Sequence, residues 1–307
     1  MRALFVLTPA ESKRLIGRAV AELKEVKYAK KNDKILIGHG STNFFVAEEI
    51  LGKQKITKMW KENKYLSGAI QRGTLCTIIG EEKPPLLILN RGVVIPPADT
   101  MSEVLRDFGK DSIFIKGGNA VDPEGNAAAF IAHPEGGTIG WAFGTLMARG
   151  IRLIAPVGLE KLVPSVAKAA TFCGQETLDY CQGLRVGLIP LTGAKVVTEI
   201  TALKVLAGAD AVQVAAGGHS GSEGAVMLVV DAEKAVVQKA IRVVESVKGE
   251  PPIITKKYPC LTCIPKSPVQ PEGYKYEDWG SVVKKSHKRC LYQGIPEKKL
   301  PRYMRGG

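Results

Sequence analysis

The chain has 307 residues, of which 45% are hydrophobic and 24% are charged. That composition is typical of a globular protein with an ample core, and it excludes global disorder, a coiled coil and a collagen-like chain. Lys and Arg number 43 against 30 Asp and Glu, a net charge of +13. A balance this basic favours an anionic partner, which is a nucleic acid, a membrane surface or a phosphorylated small molecule.

No apolar run reaches the roughly 20 residues that a membrane span requires, so we expect no membrane partner. Residues 1–9 hold a short apolar patch without a long hydrophobic region or a small-residue cleavage site, and we expect no signal peptide. Six cysteines in a chain of this length are compatible with a cytoplasmic protein whose thiols are reduced.

The first part of the chain alternates helix and strand patterns. A helix is predicted over 9–28, a buried strand over 34–37, and a second helix that follows the segment 38–43 and ends at Gly52. Further elements are predicted as strands at 74–79, 86–90, 112–116 and 151–157, and as helices at 99–109 and up to Arg149. Alternating strands and helices indicate a Rossmann-like, mostly parallel α/β sheet with helices on both faces, which we assign to residues 1–193.

The pattern changes after Gly193. Strand, helix, strand, strand, helix and strand patterns follow at 195–200, 200–207, 211–216, 225–231, 232–248 and 251–254. This order is that of a small ferredoxin-like domain, predicted over 194–255. Residues 256–307 lack apolar periodicity and are predicted to form an extended, basic, Cys-containing tail.

The segment 38–43 carries the strongest sign of a binding site. It reads Gly38-His39-Gly40-Ser41-Thr42-Asn43 between a buried strand and a helix. Small residues let a ligand approach the backbone, and the N–H groups of the helix start can form an anion cradle with the Ser and Thr hydroxyls. The alternative is a tight turn in which a hydroxyl caps the helix. No Gly-Lys-Ser/Thr closes the loop, so it is not a Walker sequence.

Two motifs resemble the superfamily of ribose-phosphate isomerases, glucosamine-phosphate isomerases, CoA-transferases and sugar-phosphate-sensing repressor domains. Residues 38–42 are similar to the Gly-Thr-Gly-Ser-Thr loop with which ribose-phosphate isomerases hold phosphate. Residues 115–126, with Asp122-Pro123-Glu124-Gly125-Asn126, are similar to a strand and turn of the CoA-transferases and repressor sensors. The resemblance covers about residues 10–190, and it implies a phosphate ligand, sugar-phosphate isomerisation or acyl/CoA transfer, and a homodimer.

The chain also departs from that superfamily. Position 116 is Lys where the isomerases have Asp, which leaves Asp122 and Glu124 as the nearest carboxylates. Glu223 is superficially similar to the nucleophilic Glu of CoA-transferases, but its loop falls in the predicted second domain.

Polar residues also follow the strand at 112–116, at the sheet edge where open α/β sheets bind ligands. Lys116 could neutralise a phosphate while a carboxylate removes a proton next to a carbonyl. The alternative is that 122–125 form a simple turn, for which their composition is suited. The candidates here are Lys116, Asp122 and Glu124 for catalysis and Gly117, Gly118 and Asn126 for ligand binding.

Three histidines lie near glycine-rich segments. His39 and His133 are either acid–base groups or structural side chains. His219 lies in a Gly/Ser-rich loop that is either a second anion site or a flexible connection.

The tail contains a possible metal site. Cys260, Cys263, His287 and Cys290 form a Cys₃His set compatible with structural zinc, and free or redox-active thiols are the alternative. Cys173 and Cys181 are predicted to be buried apolar residues.

The charge is concentrated in two places. Residues 256–307 hold nine Lys and three Arg against three Glu and one Asp, a net +8 of the total +13. With its Tyr and Trp residues this tail could bind nucleic acid by stacking, but no nucleic-acid module accompanies it. A solvated tail or a subunit clasp is the favoured interpretation. A second basic segment, 53–64, is predicted to be exposed and mobile beside the anion loop.

Together these patterns predict a protein that binds a phosphorylated or anionic metabolite at 38–43, and if it is an enzyme, the expected reactions are sugar-phosphate isomerisation or acyl/CoA transfer. The alternative is a non-catalytic metabolite sensor whose basic tail contacts a partner. A buried carboxylate near the loop would favour the enzyme. No cofactor is required apart from the possible zinc ion.

Overall fold

The computed structural model describes residues 1–71, 73–77, 83–255, 259–263 and 290–305. It confirms a mixed α/β structure. Its strands are β1 Arg2–Leu7, β2 Lys34–Ile37, β3 Gly68–Gln71, β4 Thr74–Thr77, β5 Leu87–Asn90, β6 Val93–Ile95, β7 Ile113–Ile115, β8 Ala120–Val121, β9 Ala127–Ile131, β10 Arg152–Pro156, β11 Gly187–Pro190, β12 Lys195–Val197, β13 Ala211–Gly217 and β14 Ala225–Asp231. Its helices are α1 Pro9–Glu22, α2 Lys24–Asn32, α3 Ser41–Leu51, α4 Lys53–Met59, α5 Met101–Leu105, α6 Gly137–Arg149, α7 Val166–Thr171, α8 Glu199–Ala207 and α9 Lys234–Glu245.

A six-stranded mixed sheet forms the centre, with the order β12-β10-β7-β2-β5-β6. The neighbours β12, β10, β7 and β2 are parallel, whereas β5 and β6 are antiparallel additions beside β2. The runs 35–37 and 113–115 are entirely apolar and have no exposed surface, as expected of parallel strands covered on both faces. The carboxyl ends of the four parallel strands therefore meet at one edge of the sheet.

The first helical pattern forms two helices. Thr8 caps α1, accepting a hydrogen bond from the Glu11 N–H while the Glu11 carboxylate accepts one from the Thr8 N–H. The predicted single helix over 9–28 is wrong, because Leu23 leaves the helical conformation between α1 and α2. This break lets Leu23 and the α2 residues Val26 and Ala29 all be buried in the core.

The predicted ferredoxin-like domain is not formed by residues 194–255 alone. Strand β12 joins the six-stranded sheet, β13 and β14 pair with the N-terminal β1, and residues 251–254 are not a strand. One hydrophobic core also spans the predicted boundary, since Leu15 and Leu228 belong to the same cluster. The pairing with β1 gives β14 a neighbouring strand on each side. No local sequence pattern indicates a pairing between segments this far apart.

Two smaller predictions also change. The basic segment 53–64 begins with helix α4, which buries Ile56. The tail is not uniformly extended either, because Tyr292, Leu300 and Met304 form a small buried cluster of their own. Among the helices of the described residues, none combines the length and apolarity needed to cross a bilayer.

A buried arginine fastens α1 to its surroundings. The Arg14 guanidinium contacts Glu48 and Glu49 of α3, and it also contacts Glu250 beyond α9 at 2.9 Å. It stacks over the Phe45 ring with 4.3 Å between the guanidinium carbon and the ring centroid. The side chains of Arg14 and Glu48 are 5% and 2% exposed, so each needs the other to offset the loss of hydration.

We expect Arg14→Met to destabilise the protein by about 3–5 kcal/mol, because Glu48 would keep a buried charge without its partner. The matched change Arg18→Met removes a more exposed arginine that also contacts Glu49, and it should cost less than about 1 kcal/mol. Urea unfolding of both variants measures the difference. Equal losses would contradict the role given to Arg14.

Candidate active site

A cavity of about 760 Å³ opens at the carboxyl edge of the parallel strands. Its walls come from the loops after β2 and β7, the start of α1, the β3–β4 hairpin and the segment after α9. This is the position at which open α/β sheets bind ligands. The cavity is therefore the candidate site.

The loop 38–43 forms the floor of the cavity. The Gly38 N–H donates to the Ile115 carbonyl at 2.9 Å, and the Asn43 side-chain amide donates to the Gly38 carbonyl at 2.7 Å. A Cβ at position 38 would lie 3.3 Å from the Ile115 oxygen, so glycine allows the loop to approach the next strand closely. Ser41 and Thr42, at the start of α3, line the cavity where the helix dipole and unpaired N–H groups favour an anion.

Asn43 adds an unsatisfied acceptor to this floor. Its side chain has no exposed surface, and its Oδ1 atom has no hydrogen-bond partner among the described residues. A Cβ at Gly117 would lie 3.5 Å from that oxygen. Buried polar atoms are normally paired, so a ligand that offers a donor beside Gly117 would complete the site.

His39 lines the cavity but does not carry a charge near neutral pH. Its Nε2 atom lies 2.7 Å from the Pro84 carbonyl oxygen, and its ring packs on Tyr65. Because a carbonyl can only accept, Nε2 carries the proton. Burial, with help from the charge of Lys83, lowers the pKa of His39 to about 3. Of the two hypotheses for His39, the structure favours the structural one.

Three lysines converge on the cavity from three different elements. Lys13 comes from α1, Lys116 follows β7, and Lys161 follows β10. The Lys161 amine donates to the Gly118 carbonyl at 3.2 Å. The amine of Lys116 makes no hydrogen bond or ion pair with another described residue. Sequence analysis identified only Lys116, and the available signal for Lys161 was its place just after a buried strand.

These amines lie in a partly dehydrated environment. Burial, together with the charge of Lys161, lowers the pKa of Lys116 to about 8. Burial and the charge of Lys116 lower the pKa of Lys83, which does not line the cavity, to about 8 as well. Burial also lowers the pKa of Lys13. The site thus holds several cations whose mutual repulsion an anion would relieve.

Two glutamates lie close to Lys13, of which Glu199 is fully buried and Glu160 is partly exposed. Both carboxylate oxygens of Glu199 accept from the Leu159 N–H, at 2.9 and 3.2 Å. Burial and the nearby Glu160 raise the pKa of Glu199 to about 7. The Glu160 oxygens are buried without a hydrogen bond from the described residues, and the Lys161 amine lies 3.7 Å away. Neither glutamate belongs to a sequence motif, so the sequence did not indicate this pair.

The carboxylates that the sequence favoured lie elsewhere. Asp122 accepts hydrogen bonds from the N–H groups of Asn126 and Val166 at 2.8 and 2.9 Å, so it ties a turn to the start of α7. Burial alone would raise the pKa of Asp122, but these bonds lower it. Asp122, the exposed Glu124 and Asn126 do not line the cavity, whereas Gly117 and Gly118 do. We therefore leave these three residues out of the site.

The loop between β13 and β14 reaches the cavity, although the sequence placed it in another domain. Gly221 and Glu223 are among its lining residues. The exposed Glu223 carboxylate accepts from the Gly221 N–H at 2.9 Å, and backbone hydrogen bonds lower its pKa. His133 lies apart from this loop, where its Nδ1 accepts from the Glu135 N–H and its ring contacts Trp141.

The tail cysteines lie near one another without a formed metal site. Cys260 and Cys263 occupy a short helical turn. Burial and the neighbouring thiols of Cys290, Cys260 and Cys76 raise the pKa of Cys263 to about 11. No group of three or more His, Cys, Asp or Glu in the described ranges is arranged to hold a metal ion. His287 lies outside those ranges, so the zinc site stays a prediction.

The remaining two cysteines are partly buried. Cys173 packs against a small apolar cluster, and the Cys181 thiol lies 3.1 Å from the Gly183 carbonyl oxygen.

No protein-family model, curated protein or solved structure matches the chain. The function of the cavity is therefore argued from its own geometry.

We expect Glu199→Gln to flatten the pH dependence of stability. The folded state holds a proton on Glu199 up to about pH 7, whereas an unfolded Glu releases it near its ordinary pKa of about 4.3. The stability that this carboxyl contributes is thus complete below about pH 4.3 and is lost as the pH rises through about 7.

The wild type should lose on the order of 2–3 kcal/mol relative to Glu199→Gln over that range, measured by urea unfolding at several pH values. Glu176→Gln, at an exposed position, is the control and should follow the wild type. A Glu199→Gln curve parallel to the wild type would show that Glu199 is ionised in the folded protein.

Proposed function

We propose that the protein binds a phosphorylated or otherwise anionic small metabolite in the cavity at the carboxyl edge of the sheet. The convergence of Lys13, Lys116 and Lys161 on one cavity carries this proposal. The start of α3 supplies N–H groups and hydroxyls on the same floor. A phosphate bound there would accept from these donors and neutralise the amines.

The energetics of the lysines support an anionic ligand. Bringing ammonium groups together away from water costs free energy, which appears as the lowered pKa values of Lys83 and Lys116. Among the described residues, Lys161 is the only cavity-lining lysine whose amine lies within ion-pair distance of a carboxylate. That carboxylate is the partly buried Glu160. A bound dianion would supply the missing negative charge and raise those pKa values again.

The resemblance of residues 38–42 and 115–126 to the isomerase and CoA-transferase superfamily supports the same ligand class. In this proposal the parallel strands are a Rossmann-like core of that superfamily, and the protein forms a homodimer. The loop after β2 would then hold phosphate as the ribose-phosphate isomerases do. The mixed sheet and the position of the cavity agree with this arrangement.

A second candidate function, acyl or CoA transfer, is favoured by the position of Glu223 on the cavity wall. Its carboxylate would attack an acyl thioester, forming a C–O bond while the C–S bond breaks and the thiolate leaves. Isomerisation through Asp122 or Glu124 has less support, because neither residue lines the cavity. A metabolite sensor remains the alternative if ligands bind without turnover.

Sulfate tests the anion site directly, because it stays a dianion over the whole range of the assay. Its affinity should fall several-fold between about pH 7 and about pH 9, as Lys83 and Lys116 lose protons. Lys13→Met should weaken binding by about tenfold or more, since it removes one charged donor. Lys239→Met, at an exposed position on α9, should leave the affinity unchanged. Calorimetric titration measures all three.

Thermal-shift measurements on two ligand pairs identify the ligand class. The first pair is ribose 5-phosphate and ribose, and the second is acetyl-CoA and the same acetyl thioester without the nucleotide part of CoA. The phosphorylated member of each pair should stabilise the fold more. Absence of both sulfate binding and any shift would contradict the proposed function. Stabilisation without turnover of either class would favour the sensor.

A further inference from the structure

Lys116 occupies the middle of the site. It follows β7, which lies between β2 and β10, and its N–H donates to the Ile154 carbonyl at 2.9 Å. A Cβ at Gly38 would lie 3.6 Å from the Cδ atom of Lys116, so the stem of this side chain runs close to the anion loop. Lys116 is thus a lining residue of the cavity whose stem packs beside the loop where an anion would be held.

The amine of Lys116 also has unusual neighbours. The charged groups that act on it among the described residues are the cations Lys161 and Lys83, and the adjacent His39 is neutral. A lysine beside other cations in a partly dry site keeps part of its population as the free amine at neutral pH. The free amine is the nucleophilic form.

The other amines are less suited to this role. Lys13 lies near Glu160, whose negative charge opposes the lowering of the Lys13 pKa by burial and by Lys161, whereas no carboxylate acts in this way on Lys116.

Lys161 is held by the Gly118 carbonyl at 3.2 Å and by Glu160 at 3.7 Å, which orient it as a charged donor. Lys83 does not line the cavity. Among the described residues, Lys116 is therefore the cavity-lining lysine that has neither a hydrogen bond nor a carboxylate acting on its amine.

We propose that Lys116 is a catalytic nucleophile that forms an imine with the aldehyde or ketone group of an anionic substrate. This inference rests on the proposed anion site, and it narrows the ligand to a carbonyl compound that carries a phosphate or a similar group. Lys13, Lys161 and the start of α3 would hold the anion, and the carbonyl would face Lys116.

The chemistry balances without a further reactant. The amine nitrogen attacks the carbonyl carbon, a C–N bond forms, and the carbonyl electron pair moves to oxygen, which takes up a proton. Loss of that oxygen as water leaves a protonated imine, which withdraws electrons from the adjacent carbon and eases removal of a proton there. Addition of one water molecule later restores the carbonyl and the free amine.

Reductive trapping tests this step on the full chain. Glyceraldehyde 3-phosphate serves as the anionic carbonyl probe, glyceraldehyde as the uncharged one, and cyanoborohydride reduces any imine to a stable amine. Intact mass and peptide mapping then locate the adduct. We expect a single early adduct on Lys116, formed with the phosphorylated probe and suppressed by sulfate.

The expected preference follows from the free-amine fractions. With a pKa of about 8, about a tenth of Lys116 is unprotonated at pH 7, against about 0.04% of an ordinary lysine. The ratio of these fractions predicts that labelling of Lys116 should exceed that of an exposed lysine by about 200-fold. Lys116→Met should lose the early adduct, and Lys239→Met should retain it.

Four outcomes separate the possibilities. An adduct on Lys116 that requires the phosphate group supports the inference. Labelling spread evenly over many lysines overturns it. The peptide map of the labelled wild-type protein gives this result even if Lys116→Met does not fold. Sulfate binding without a Lys116 adduct overturns the imine step but leaves the proposed function standing, whereas absence of sulfate binding removes the proposed function itself.

Discussion

Backbone hydrogen bonds across the carboxyl edge of the parallel strands hold the site together. The Gly38 N–H donates to Ile115, the Lys116 N–H to Ile154, and the Val157 N–H to Val197, each within 3.0 Å. These bonds continue the hydrogen-bond ladder of the sheet one residue beyond the strands. The first residue of each loop is therefore fixed relative to the neighbouring strand. Residues of the loop 38–43 and Lys116 therefore line the same cavity.

The position of the cavity at this edge explains why a few lysines matter more for the proposed site than the large positive charge of the tail. The excess of +8 in residues 256–307 accounts for most of the net charge, yet the cavity depends on a few lysines from the body of the protein. In water such amines repel weakly, but a dehydrated site strengthens every interaction between them. Arg14 contributes indirectly, because it links α1, which carries Lys13, to α3, which begins at the loop 38–43.

Several features could be predicted from the sequence because they depend on neighbours along the chain. The strand at 34–37, the glycine loop and helix α3 follow from apolar runs and small residues, and the turn at 122–125 follows from its composition. Other predictions failed where the structure depends on contacts between segments that are far apart in the sequence. Strand β1 pairs with β14 more than 200 residues away, so a strand from the N-terminus joins those that the local pattern assigned to residues 194–255 alone.

The sequence by itself determined the α/β class, the loop 38–43 and the position of Lys116 after a buried strand. Only the tertiary structure brought Lys13 and Lys161 to that loop, placed Glu223 on the cavity wall and moved Asp122 out of the site. The physical reason is the range of the interactions. Period and turn chemistry act over a few residues, whereas burial and charge depend on all elements that pack around a group, whatever their separation along the chain.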